Sequence, residues 1–327
     1  MKQDKQPTRP PLAIIVAAAL LLAAALAGTA APEPGDKPAV FLPGIVSTHM
    51  GERDAALSPD GSLFFFTVSS YRFPVIVFSR KGADGWSVPE VAPFSGTYAD
   101  LEPHFSPDGQ TLYFASNRPL TEGGGTKDFD IWFVSRREGG WSEPVNIGPP
   151  VNTKANEFYP SITRNGTLYW CAVREGGPGG EDIFFSERVG GRYLTAQALG
   201  DSVNTQGNEY NAFVARDESY IVFTSTGHGA GYGRGDLYIS FRRPDGGWTK
   251  AVNMGPGVNS PAFEFCPYVS EDGSTFFFTS DRLPEEAGPD GPASYQDLVR
   301  FSLGPGNKQH SIYHVDAALI GRLRPAF

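Results

Sequence analysis

A unit of roughly fifty residues returns five times along this 327-residue chain, and that recurrence constrains the fold more than any single motif does. Each copy is marked by a short polar turn ahead of an aromatic run: DAALSPDGSLFFF from Asp54, EPHFSPDGQTLYF from Glu102, YPSITRNGTLYW from Tyr159, NAFVARDESYIVF from Asn211 and CPYVSEDGSTFFF from Cys266. A glycine-rich loop follows in most copies, then a second apolar run such as DIWFVSR, EDIFFSER or GDLYISFR. Three copies continue into a tryptophan segment, DGWSVPE, GGWSEPVNIG or GGWTKAVNMG, and Tyr193 takes the tryptophan's place in the third copy.

Each copy therefore offers four short strands separated by Gly, Pro, Asn and Asp clusters. Four-stranded units at this period predict an all-β fold, a five-bladed β-propeller of four-stranded antiparallel blades, with six blades as the alternative. The 39 glycines, 28 prolines and 13% aromatic residues suit many short strands and tight turns. SPDG itself reads as a turn. Asp60-Gly61, Asp108-Gly109, Asn165-Gly166 and Asp272-Gly273 tolerate the positive φ of a two-residue hairpin. A nucleophilic serine has no reason to recur in several blades and give way to Ala215 in another.

Ring closure is legible as well. VFLPGIVSTHMGE, ending at Glu52, fits the linker VNIGPPVNTKANE, ending at Glu157, so that Val46, Thr48 and Glu52 fall on Val151, Thr153 and Glu157. No three strands precede Val40, and the fifth copy ends in SIYHVDAALI without a fourth strand. The N-terminal strand is thus expected to complete the last blade and hide both sheet edges. Ahead of it, Lys2, Lys5 and Arg9 precede an uncharged run from Leu12 to Ala27. That run is short for the roughly 20 residues of a bilayer span. A secretory signal peptide over 1–30, a linker over 31–38 and a propeller over 39–327 follow, and an uncleaved anchor is the alternative. The expected location is periplasmic or secreted, with no membrane span in the mature chain. The net charge of −9 and the lack of a basic run exclude nucleic acid as an expected partner. Cys171 and Cys266 fall in non-neighbouring blades and are expected as two buried thiols.

With SPDGxxLYF, SNR, DIW and GGWSxPxNxG laid out, the chain resembles the WD40-like beta-propeller repeat family of the TolB type over residues 39–327. The resemblance implies an exported or envelope propeller that serves as a binding or scaffolding module. Related propellers sit beside a peptidase domain, but no G-x-S-x-G elbow occurs here, so that activity is not expected.

Candidate site residues come from aligning the copies. Six residues before each turn stands an acid: Glu52, Asp100, Glu157, Glu209 and Glu264. Period-two alternation puts Leu101, Pro103 and Phe105, or Phe158, Pro160 and Ile162, between the blades and the opposite set toward a central channel. Five carboxylates at one rim suit a divalent cation, Ca²⁺ or Mg²⁺, although no cofactor is required. The structural alternative, favoured because the acid recurs in every blade, pairs each one with Arg118, Arg174, Arg282 or turn amides. Two residues further on the copies differ, with Asp54, Glu102, Tyr159, Asn211 and Cys266, and His104 follows in the second. Asp54, Glu102 and His104 are the catalytic or metal candidates, and a solvated polar wall explains them equally well. Glu52, Asp100, Glu157, Glu209, Glu264, Tyr159 and Asn211 are the binding candidates.

GGPGGEDIF resembles the GGxGxDx pattern of calcium-binding β-rolls but lacks tandem repetition, so Asp130, Asp182 and Asp236 are read as holding their glycine-rich loops. An irregular insertion over 283–310 contains a short helix capped by Ser294 and Asp297, with Tyr295, Leu298, Val299 and Leu303 on one side. The functional expectation is a monomeric, non-catalytic propeller that binds an envelope or secreted protein, or a glycan, through its loop face. The alternative is a carbohydrate-active hydrolase or lyase using the channel carboxylates.

Overall fold

Hydrophobic runs of six residues between tight turns fold as the repeat predicts. The computed structural model describes residues 37–69, 71–283 and 294–327. The basic and apolar N-terminal segment and residues 284–293 of the insertion lie outside these. Five antiparallel sheets form a five-bladed β-propeller. The innermost strands are Glu52–Leu57, Asp100–Phe105, Glu157–Ile162, Glu209–Val214 and Glu264–Val269, which open blades one to five. Ala39–Val40 pairs with Ser311–Asp316 as the outermost strand of blade five, with Ala39 opposite His314 and Val40 opposite Tyr313. Among the described residues no helix is long and apolar enough to cross a membrane.

The turns are locked by their own side chains. Ser58 donates to Asp60 (2.5 Å), Asp60 accepts from the Ser62 amide (3.0 Å), and Gly61 takes φ +67°. Those hydroxyl and amide donors hold the Asp60 carboxyl down at about 2. Ser106–Asp108, Thr163–Asn165 and Ser270–Asp272 repeat the device. Blade four departs from it: Ala215 has no hydroxyl, and Glu218 stands at φ +59° where glycine would be usual.

The recurring tryptophan is a wedge between blades. Trp141 of blade two lies edge-on to Phe65 of blade one (5.9 Å), and Trp86 of blade one meets Phe64 and, with blade five, forms a shared core. Tyr193 joins the core of blades two and three in the equivalent place. Burying such rings is worth about 1.5–3 kcal/mol each, which explains why one large aromatic returns in four of the five blades.

The inner strands do not alternate strictly, which corrects the period-two reading. Every one of them shifts register after its second residue, between Arg53 and Ala56, Leu101 and His104, Phe158 and Ser161, Tyr210 and Phe213, and Phe265 and Tyr268. The residue at the bulge takes a left-handed backbone: Asp54 (φ +66°), Glu102 (+61°), Tyr159 (+52°), Asn211 (+49°) and Cys266 (+52°). A bulge re-aims a side chain and increases local twist. Here it occurs five times, so chemically unlike residues share one conformation around the axis. Because inner and third strands begin at one end of each blade, the glycine-rich loops, blade linkers and insertion share one face. The SPDG turns lie on the other.

Candidate functional site

The five repeated acids do not converge. Each is buried in a network local to its blade. Glu157 accepts from the Thr153 amide (3.2 Å) and hydroxyl (2.5 Å), and Glu52, Glu209 and Glu264 repeat this with Thr48, Thr205 and Ser260. Asp100, one atom shorter, instead takes Ser95, Ser116 and Arg118 (2.6 Å to the guanidinium), and Arg282 reaches Glu264 at 3.0 Å. Arg174 differs from the expected pairing: it donates to the Val151 carbonyl (3.3 Å) and acts on Glu157 only through its charge. Burial raises Glu52 and Asp100 and pushes Glu157 up to about 7, against the hydroxyl and amide donors that favour the charged form. Among the described residues no three His, Cys, Asp or Glu side chains form a group able to hold a metal ion. Asp130, Asp182 and Asp236 bind loop atoms: Lys127, the Gly179 amide, and the Tyr232 and Gly233 amides respectively.

The residues that do meet are those at the bulges. Arg53 donates to Asp54 (Nε to Oδ1, 2.8 Å) and to Glu102 (Nη2 to Oε1, 2.8 Å), and the same nitrogen lies 3.3 Å from Cys266 Sγ. The Tyr159 amide donates to Glu102 Oε2 (2.7 Å), Asn211 Nδ2 to Glu102 Oε1 (3.2 Å), and the Glu102 amide to Asp54 Oδ2 (3.2 Å). Every blade thus contributes to one cluster centred on Glu102. Arg53 also stacks on Phe265, its guanidinium carbon 4.9 Å from the ring centroid. Asp54 and Glu102 are 1% and 4% exposed, and both Glu102 oxygens are occupied. Burial raises the Glu102 pKa, with Arg53 opposing the rise and Asp54 adding to it. Cys171 and Cys266 are free, buried and share a small apolar cluster with Tyr159 and Phe265. Burial lifts both thiols well above the usual range, so neither is an activated nucleophile.

His104 is separated from Asp54 and Glu102, contrary to the grouping expected from alternation. The bulge at Glu102 turns it elsewhere: its Nε2 lies 2.9 Å from Arg216 Nη1, and its ring packs on Phe213 and Tyr268. Burial and the Arg216 charge hold His104 well below the usual imidazole range, leaving it neutral.

Arg53 was not among the residues singled out by the repeat pattern, although a signal was there. The position after the repeated acid reads Arg53, Leu101, Phe158, Tyr210 and Phe265, one cation among four apolar residues.

No protein-family model matches the chain, and no curated protein matches it in sequence. Among solved structures it is similar to the putative TolB from Agrobacterium tumefaciens, at 16% identity over 81% of this chain and 90% of that one, TM-score 0.46. It is similar to TolB from Acinetobacter baumannii at 12% identity, over 81% of this chain and 54% of that one, TM-score 0.44. A GH43 endo-arabinanase from Bacillus licheniformis stands at 11% identity, 83% and 96% coverage and a TM-score of 0.49. At such identities the likeness concerns the propeller fold and carries no function with it.

Proposed function

We propose that this chain is an exported, non-catalytic propeller that docks a protein partner of the cell envelope on its loop face. The observation that carries this reading is the set of large apolar side chains left exposed on that face by all five blades. They are Tyr71, Leu120, Val173 and Tyr232 from blades one to four, and Leu283, Tyr295, Leu298 and Leu303 from blade five. In the helix Tyr295–Ser302, Val299 and Phe301 are half-buried while Tyr295 and Leu298 stay exposed, so part of its apolar surface faces outward. Exposed apolar groups rimmed by polar loops on a rigid scaffold favour protein association. Asp54 and Glu102, closed over by Arg53, offer no open acid or base to a sugar, which weighs against a hydrolase built on these two carboxylates. Export rests on the basic and apolar N-terminal sequence alone.

The test is a pull-down from host envelope extract with the mature domain, run beside a Tyr71→Ser/Tyr295→Ser/Leu298→Ser variant and assays of polysaccharide turnover. One stoichiometric protein partner, lost with the triple variant, is the expected result. Turnover of a glycan that disappears in Glu102→Gln, or capture that ignores the triple variant, overturns the reading.

A further inference from the structure

On the opposite face the second position of the turn motif breaks the repeat: Pro59, Pro107, Arg164, Arg216 and Glu271. The two prolines belong to blades one and two, whose turns pack closely enough that a Cβ on Gly109 would meet Pro59 at 3.2 Å. The three charged residues come together across blades three, four and five. Arg216 Nε donates to Glu271 Oε2 (3.0 Å), and its Nη1 donates to the Ile162 carbonyl (2.6 Å) and lies against His104. The Arg164 amide donates to the Arg216 carbonyl (2.8 Å), which fixes the two turns to each other. A cleft of about 240 Å³ opens here, walled by Phe213, Tyr220 and Val269 and bordered by Arg164, Arg216 and Glu271.

We infer that this cleft binds a small organic monocarboxylate with an apolar body. Arg216 is only 9% exposed and is held from three directions, so it is a fixed cation at the cleft floor. Arg164 pairs with Glu271 by charge at 3.6 Å, too long for a hydrogen bond, and is 68% exposed, so its outward N–H donors can still meet a carboxylate in two-point contact. The internal carboxylates of Glu271 and Asp217 border the same space. They leave the cleft near charge balance, so each negative charge a ligand adds is uncompensated and a monoanion is tolerated better than a phosphate dianion. Phe213, Tyr220 and Val269 give the hydrocarbon part a surface to cover. Clefts for drug-sized ligands run to about 300–1,000 Å³, so this one suits a fragment-sized acid. The site lies on the turn face and is independent of docking on the loop face.

The experiment titrates 3-phenylpropionate, phenyl phosphate and 3-phenylpropanol into the mature chain by calorimetry and ligand-observed NMR. Saturable binding of the acid alone is expected, weakened about tenfold by Arg164→Gln, the loss of one charge-assisted contact. Arg137→Gln, a charge control elsewhere on the surface, leaves it unchanged. Glu271→Gln removes the internal competitor and tightens the acid while letting the phosphate in. Because Arg164 is exposed, its variant folds, and a thermal melt verifies this. No saturable binding, equal binding of the alcohol, tighter binding of the phosphate to the unsubstituted chain, or indifference to Arg164→Gln overturns the assignment.

Discussion

A single guanidinium, that of Arg53, lets Asp54 and Glu102 sit side by side at the axis. Removing it by Arg53→Met leaves two buried carboxylates without a counter-charge, a change that costs about 3–5 kcal/mol. Urea denaturation at pH 8 should show that loss. The deficit should shrink toward pH 5, and the sign follows from Glu102. Its folded pKa is raised, so its contribution is complete below its ordinary value and is lost as pH rises through the raised one. A midpoint that does not move, or a deficit equal at both pH values, would mean that Arg53 is packing rather than charge compensation. Arg53 was readable in the aligned copies as the one cation at its position. Its partners were not, because the side on which Asp54 and Glu102 lie depends on the bulge between them and the rest of the strand.

At the scale of elements, the repeat announced the strands, the turns and the closing strand, and their hydrogen bonds follow from local residue types. The inner-strand bulges were invisible because nothing in their composition calls for them. Left-handed backbone costs a non-glycine residue about 1–2 kcal/mol, and glycine is absent from all five positions. The conformation is imposed by the packing of five strands around one axis, a tertiary cause that alternation ignores. Alternation groups His104 wrongly for that reason, whereas the turn motif places Ser58, Ser106 and Ser270 where their hydroxyls bond the turn. The helix Tyr295–Ser302 is the opposite case. Its cap was legible, with Ser294 accepting from the Asp297 amide (3.2 Å), and its lack of burial was not. Since both side chains are exposed, Tyr295→Ser/Leu298→Ser should leave unfolding free energy within about 0.5 kcal/mol of the unsubstituted chain. A larger loss in chemical denaturation would show that these side chains pack on the propeller and cannot serve as a free docking surface.

For the molecule as a whole, one stretch near the N-terminus serves both the edge and the axis of the ring. Val40 and Phe41 join blade five, Val46 enters the core shared by blades four, five and one, and Glu52 begins blade one, whose next two residues, Arg53 and Asp54, plug the centre. The Phe41 amide donates to the Ile312 carbonyl (2.8 Å), and its ring meets Phe64 of blade one at 4.7 Å and Phe277 of blade five at 5.0 Å. Phe41 therefore bridges the first blade and the last, where the ring is joined by non-covalent contacts alone. Phe41→Ala should cost about 2–4 kcal/mol, less than for a fully buried ring because Phe41 is only half-buried. The loss should also be local before it is global. In native-state hydrogen exchange the amides of Ser311–Asp316 should open earlier than those of Leu168–Ala172 in blade three, on the far side of the ring. Uniform acceleration across all blades would instead mean that the propeller opens as one cooperative unit, with the junction no weaker than any other blade interface.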